Sequence, residues 1–217
     1  MALHPHQARA LVGDLLTPLP PETVPLEDAH HRLLAAPIYA DRDLPPTDRA
    51  AMDGYACRAA DTASPHPLIV TGTVAAGAPA PTAVTPGEAI RIFTGAVVPR
   101  GADCVVMQEA VDAVDNQIRV RVPAAVGQHI LKRGEDARAG DELLGPGTIL
   151  DAAQLAVCAA VGATAVAVRR RPRVAVFATG SELKHAADPV APHEIRSSNT
   201  LALAALLRDL GQAEVAV

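Results

Sequence analysis

The residues of this sequence best suited to chemistry are aspartates in a proline-stiffened loop. Residues 43–56 read DLPPTDRAAMDGYA, with Asp48 and Asp53 five residues apart. Pro45 and Pro46 restrict the backbone and remove two amide donors, so the segment can be neither helix nor central strand and must be a shaped loop. Ala50 and Ala51 leave the carboxylates uncrowded, and Gly54 lets the backbone turn or approach a ligand closely. A carboxylate so placed can reach a metal, the cation beside an oxyanion, or a proton donor. An Asx-turn leading into a strand accounts for the same residues without any chemistry.

Three other segments carry similar groups. RIFTGAVVP, residues 91–99, sets Thr94 and Gly95 just past a strand, where a hydroxyl and an amide could meet an oxyanion. KRGEDARAGD, residues 132–141, sets Arg133 beside Glu135 and Asp136 in a glycine-bounded turn. Thr179, Gly180, Ser181 and Glu182 follow an apolar strand, the kind of strand end at which α/β proteins bind ligands. Taken singly, each of these is a common solvated turn. No Walker loop, GxSxG elbow, HExxH or GxGxxG is present, which removes several nucleotide-binding and hydrolytic classes.

Composition narrows the field further. With 217 residues, 49% of them apolar, the chain can bury a core in one large or two modest domains. Nineteen prolines and fifteen glycines, against two Phe, two Tyr and no Trp, imply an aliphatic core with many sharp turns and little surface for stacking bases. A formal net charge of −5 argues against a nucleic-acid partner. Cys57, Cys104 and Cys158 form no CxxC pair and read as reduced packing residues of a cytoplasmic protein. The N-terminus does not read as a secretory signal, and residues 152–168 are interrupted by Gln154, Gly162 and Thr164, so no membrane span is expected.

The elements that must position these groups change character along the chain. Ala8, Leu11, Val12, Leu15 and Leu16 recur at helical spacing and predict an amphipathic helix ending before Pro18. A second short helix is expected after Pro25, with Glu27 and Asp28 at its positive end. His30 and His31 fall within it, on different helical faces that do not easily share one metal, and read as surface residues. Residues 68–74, 89–93, 104–107, 111–114 and 118–122 read as strands, the last two as a hairpin around Asp115 and Asn116. Asp151 suits the N-cap of a helix over 152–161 that Gly162 stops, before a Val-rich strand. The basic run Arg169 to Arg173 reads as a solvated linker. Residues 174–178 then predict a strand buried on both faces, followed by a helix capped by Asn199 and ended by Gly211, and a further strand from Glu214.

The expected fold is therefore multidomain, α+β and α/β. Residues 1–42 and 145–170 form a discontinuous helical/β first domain, 43–144 an inserted mostly-β domain, and 171–217 the start of a third, parallel-sheet α/β domain. Two parallel strands cannot close a core, so the chain is expected to be the N-terminal portion of a longer protein.

Five blocks in order, AMDGYA (51–56), RIFTGAVVP (91–99), ADCVVMQE (102–109), RGEDARAGD (133–141) and RVAVFATGSEL (173–183), resemble the signature blocks of the molybdopterin molybdenumtransferase family, the MoeA family that includes the gephyrin E domain. The resemblance implies an enzyme of molybdenum-cofactor biosynthesis that inserts molybdate into adenylylated molybdopterin and releases AMP in a Mg²⁺-dependent step. It also implies a cytoplasmic homodimer whose active cleft is shared between subunits, with small-molecule substrates only. Carried over residue by residue, the functional positions are Asp53, Asp136 and Glu182 as catalytic residues, with Asp53 and Glu182 also as ligands of Mg²⁺. Thr94, Gly95, Arg133, Thr179, Gly180, Ser181 and Asn199 are the substrate-binding ones. Ser181 and Ser197 stand where the family carries acids, and Arg49 stands in its loop in place of a small amide, where it can supply positive charge. The 217-residue chain alone is expected to be inactive, since the family's glycine-rich pterin loop and C-terminal barrel lie beyond these blocks. A non-catalytic scaffold or dimerisation module of the same fold is the alternative.

Overall fold

The computed structural model describes residues 4–79, 83–210 and 214–216. It divides into two compact units, one made of Tyr39–Asp141 and the other of Met1–Ile38 with Glu142–Val217.

The unit Tyr39–Asp141 is built on a six-stranded sheet. Its strands lie in the order Cys104–Met107, Gly54–Cys57, Glu88–Ile92, Leu68–Val74, Gln117–Val120, Val111–Val114. All neighbours run antiparallel except Leu68–Val74 with Glu88–Ile92, which pair in parallel around a bulge between Val70 and Gly72. Strand alternation sends Ala56, Ile90, Ile92 and Val105 to one apolar cluster and Tyr55, Cys57, Ala89, Cys104 and Val106 to another. The central strands are thus covered on both faces, and every residue of Gly54–Cys57 is buried. Gly54 is needed here for space: a Cβ on it would lie 2.0 Å from the Val106 carbonyl oxygen. The hairpin turns at Asp115, whose φ of 54° matches the left-handed geometry such turns require.

In the other unit, Pro21–Pro25 pairs antiparallel with Ala165–Arg169, Pro21 opposite Arg169 and Pro25 opposite Ala165. Helix Ala152–Ala160 ends before Gly162, whose φ is +75°. Ala29, Leu34, Leu150, Cys158, Val166 and Val168 form the buried cluster. Arg32 is buried among them, its guanidinium paired with Glu22 and donating to the Arg169 carbonyl at 2.9 Å. Further along, Arg173–Ala175 pairs in parallel with Glu214–Ala216, and helix Asn199–Asp209 lies between them in sequence.

Several expectations are corrected. The short helix expected after Pro25 is reduced to one turn, with Glu27 and Asp28 in it. Leu26–Asp28 is a single 3₁₀ turn, after which Leu33 and Leu34 bridge to Ile149 and Val168, so cross-chain pairing outcompetes a short helix. The strand at 174–178 is only Arg173–Ala175, and it is not buried on both faces: Phe177, beyond its end, is 79% exposed. The basic run is not wholly a solvated linker, because Arg169 belongs to a strand and donates from Nη1 to the Leu19 carbonyl at 3.1 Å. Ser198, not Asn199, occupies the N-cap of the last helix. Gly211 as its stop lies outside the described residues. The first helix, Pro5–Leu15, forms, but none of its side chains is buried. The two compact units divide at Ile38/Tyr39 and Asp141/Glu142. No helix among the described residues is long and apolar enough to cross a membrane.

Candidate functional site

The proline loop is the hub of the unit Tyr39–Asp141, and its aspartates hold it to two other blocks. Asp43, Asp48 and Asp53 recur every five residues; the first two share Arg133, and the third holds Thr94. The Arg133 Nε donates to Asp43 Oδ2 at 2.5 Å, and the Ala139 amide donates to Asp43 Oδ1 at 2.9 Å. Asp48 Oδ1 accepts the Arg133 amide at 2.9 Å, and its Oδ2 accepts the Lys132 ammonium at 3.0 Å. Backbone bonds join the same segments: Leu44 and Ala137 exchange both amides at 2.8 and 3.2 Å, and the Asp136 amide donates to the Leu44 carbonyl at 2.9 Å. The Leu44–Pro45 peptide is cis.

Asp53 holds the second block. Its Oδ1 accepts both the Thr94 amide and the Thr94 hydroxyl, each at 2.7 Å. The Thr94 amide, then its hydroxyl, with the Arg91 charge assisting, hold the Asp53 carboxyl below the usual aspartate range. The Ala139 amide and the Arg133 side chain do the same for Asp43. Burial of Asp48 works against its charge, but the Arg133 amide and the Lys132 ammonium outweigh it and lower that carboxyl too. All three are carboxylates at neutral pH, and of the three Asp53 is the exposed one.

Some expected donors are already engaged. The Thr94 amide and hydroxyl are bound to Asp53, and the Gly95 amide donates to the Ala50 carbonyl at 2.8 Å, so this turn does not present an open pair of amides to an oxyanion. Gly95 has φ +80°, which closes the turn back on the loop. Besides Arg91, a cation here is Arg49, whose Nη1 donates to the Gly95 carbonyl at 2.7 Å from the short strand Arg49–Ala50. Arg133 is bound to two aspartates, and Asp136 is exposed on the same turn.

Thr179, Gly180, Ser181, Glu182 and Asn199 belong to the other unit. There the Leu183 amide donates to the Gly180 carbonyl at 3.2 Å and the Ile195 amide to the Glu182 carbonyl at 2.9 Å. Gly180 has φ +152°, and a Cβ on it would stand 2.7 Å from the Glu182 carboxylate oxygens. Ser197 and Thr200 share a hydroxyl contact at 3.1 Å beside Asn199, which is the first residue of its helix.

Sequence reasoning passed over Asp43 and Arg91 as partners of the site; the five-residue recurrence of aspartates was the available signal for the first. It also passed over the pairing of Cys57 with Cys104. These stand opposite each other on neighbouring strands with sulfurs 3.6 Å apart, and their hydrogen bond together with burial raises the Cys57 thiol.

Mg²⁺ is tested by the donor set. It takes hard oxygen ligands, keeps several waters, and is commonly held by one or two carboxylates plus substrate oxygens. Asp53 fits this pattern as an exposed, ionised carboxylate fixed through one oxygen by Thr94.

Residues 3–162 match the family described as MoeA N-terminal region (domain I and II). Molybdopterin molybdenumtransferase 2 of Mycobacterium tuberculosis H37Rv is 40% identical over 211 residues, covering 95% of this chain and 52% of that protein. The molybdopterin molybdenumtransferase of Bacillus subtilis is 41% identical over 187 residues, covering 82% of this chain and 44% of its own. Among solved structures, the molybdopterin biosynthesis moeA protein of Pyrococcus horikoshii OT3 superposes with a TM-score of 0.88 at 37% identity, covering 97% of this chain and 57% of that one. The chain spans about half the length of these relatives. The ordered blocks, the fold and the relatives converge: this chain belongs to the MoeA family.

Proposed function

We propose that the chain works in molybdenum-cofactor biosynthesis, as the part of a molybdopterin molybdenumtransferase that handles molybdate and protons. The insertion of molybdate into adenylylated molybdopterin with release of AMP, its dependence on Mg²⁺, and action as a cytoplasmic homodimer are inferred from the family resemblance. The observation that carries the reading is the Asp53–Thr94 pair, in which two donors converge on one carboxylate oxygen at 2.7 Å.

The geometry supports distinct roles. Thr94 orients Asp53 and keeps it ionised, so that it can accept a proton or hold a cation. Bare carboxylates repel an oxyanion, so positive charge must intervene; Arg49 and Arg91 are this chain's contributions, and Asp53 would hold Mg²⁺. When bound, Mg²⁺ supplies charge that screens the oxygens leaving molybdate. Asp43 and Asp48 fix Arg133 and with it the turn carrying Asp136. Glu182 and the Thr179–Gly180–Ser181 turn, with Asn199, are assigned to the pterin-nucleotide side.

The test is turnover by the full-length protein, measured as AMP released from adenylylated molybdopterin with molybdate and Mg²⁺. Wild type turns over. Asp53→Asn falls by at least about 100-fold with an unchanged circular dichroism spectrum. Near-wild-type turnover in Asp53→Asn overturns the role of the carboxylate, and no turnover in wild type favours the scaffold.

A further inference from the structure

A second cluster of ligating side chains lies in the other unit. His30, His31 and Asp151 each offer one ligand atom, and these atoms lie within 4.8 Å of one another, all three residues being exposed. In a helix adjacent histidines would diverge. Here the chain turns instead: His31 has φ +59°, and the rings of His30 and His31 lie 3.7 Å apart, centroid to centroid. His31 Nδ1 is 3.1 Å from Asp151 Oδ1.

Asp151 also departs from its local role. It sits at the N-cap of helix Ala152–Ala160 with extended backbone, yet its side chain makes no capping hydrogen bond. An aspartate there ordinarily accepts an amide of the first helical turn. This one bonds the His31 imidazole instead, with His30 within reach. The scaffold beneath is rigid: the His31 amide donates to the Leu150 carbonyl and the Leu150 amide to the Arg32 carbonyl, both at 2.9 Å, with Leu150 and Arg32 buried. Left-handed backbone at a non-glycine residue and a carboxylate diverted from its cap meet at one spot, and such local departures concentrate at functional positions.

We propose that His30, His31 and Asp151 form a surface site for a divalent transition-metal ion of the Zn²⁺ class. Two imidazoles and one carboxylate suit Zn²⁺, Ni²⁺ or Cu²⁺, whereas Mg²⁺ prefers oxygen alone. Tetrahedral Zn²⁺ with bonds of about 2.0 Å sets its ligand atoms about 3.3 Å apart, close to the His31–Asp151 separation already present. Water completes the coordination. Binding takes the His31 tautomer whose coordinating nitrogen carries the lone pair, its one ring proton standing on the other nitrogen, so the imidazole stays neutral and Asp151 remains a carboxylate. The site is independent of the reading given to Asp53.

Zn²⁺ titration of the purified protein by calorimetry, with Mg²⁺ as control, tests it. One Zn²⁺ per chain is expected, with no matching Mg²⁺ signal. His31→Asn keeps a residue that tolerates left-handed backbone, and Asp151→Asn keeps the N-cap. His31→Asn and His30→Ala should each weaken Zn²⁺ by at least about tenfold, and Asp151→Asn severalfold, with metal-free thermal midpoints near wild type. The stacked His4 and His6 are the competing binder, so the double variant His4→Ala/His6→Ala should leave the affinity unchanged. Absence of saturable Zn²⁺ binding, unchanged affinity in both His30→Ala and His31→Asn, or loss of binding in the His4/His6 variant would overturn the proposal.

Discussion

The six-stranded sheet of the unit Tyr39–Asp141 and the two-stranded parallel pair near the C-terminus differ in how they treat apolar side chains. Ile90 and Ile92 are 1% and 0% exposed in the first. In the second region Phe177, Leu201, Leu203, Leu206 and Leu210 are all more than half exposed. Both regions carry large apolar side chains, and the difference lies in what covers them: a central strand with neighbours on both edges and clusters on both faces has no water to meet. The site follows the same division. Asp53 and Thr94 sit at the ends of strands of the packed sheet, which restricts their geometry, whereas Glu182 lies on a turn joined to its surroundings mainly through backbone bonds.

The comparison breaks most sharply at glycine. Gly54→Ala drives a Cβ into the Val106 carbonyl of the neighbouring strand Cys104–Met107, where backbone meets backbone, and should cost more than about 4 kcal/mol or prevent folding of this unit. Gly72, on the same sheet, has no atom within 4 Å of the corresponding position, and Gly72→Ala should stay within about 0.5 kcal/mol. Urea unfolding of the two variants separates them; equal effects would mean the sheet is less tightly paired than described.

Next in size is Ile92→Ala. Removing three buried carbons from the cluster of Ala56, Val74 and Val105 should cost about 3 kcal/mol, read as a lowered urea midpoint with an unchanged slope.

A smaller effect sharpens the loop itself. Asp43, Asp48 and Asp53 all have lowered folded-state carboxyls. A lowered folded pKa contributes stability that is fully present above the unfolded value of about 3.9 and is lost as pH falls through the folded value. The unit should therefore weaken as pH drops below about 4. The variant Asp43→Asn/Asp48→Asn/Asp53→Asn should flatten that acid limb, because its amides do not titrate there. Thermal midpoints between pH 6 and 2.5 check the slope; an acid limb as steep as wild type would show that other carboxylates carry it.

How far the molecule could be read from its residues varies along this same division. The strands Leu68–Val74, Cys104–Met107 and Val111–Val114 were legible because β-branched runs bounded by Gly and Pro have few alternatives. Residues 43–48 were legible as a loop because Pro45 and Pro46 exclude a regular element, but the expectation of a loop over all of 43–56 fails: Arg49–Ala50 is a short strand and Gly54–Cys57 a strand paired on both edges, beyond the reach of the two prolines. What could not be read was who receives each donor. Gly95 looked available to an oxyanion until its amide was seen to close on Ala50, and His30 and His31 looked divergent until the chain after Asp28 proved to be pairing with Ile149 and Val168 rather than coiling. Such partners lie over 40 residues away, and local pattern carries no information about them. The apolar run 174–178 outlasts its strand, which ends at Ala175, for a related reason: an apolar run shows that a side chain is hydrophobic but not that a neighbour covers it.

The smallest effect is expected in the exposed helix. Leu206 lies in Asn199–Asp209 with 61% of its surface in water, so Leu206→Ala removes little burial, and alanine's higher helix propensity offsets part of the loss. The change in stability should stay within about 0.5 kcal/mol, set against about 3 kcal/mol for Ile92→Ala. Ala204, on the same helix, is fully buried, and Ala204→Asp is the internal control: it places a charge where no water reaches and should detach the helix, visible as lost far-ultraviolet helical signal. If Leu206→Ala instead cost 2 kcal/mol or more, the helix would be covered in solution on the face that bears Leu206, and the contrast with the six-stranded sheet would fail.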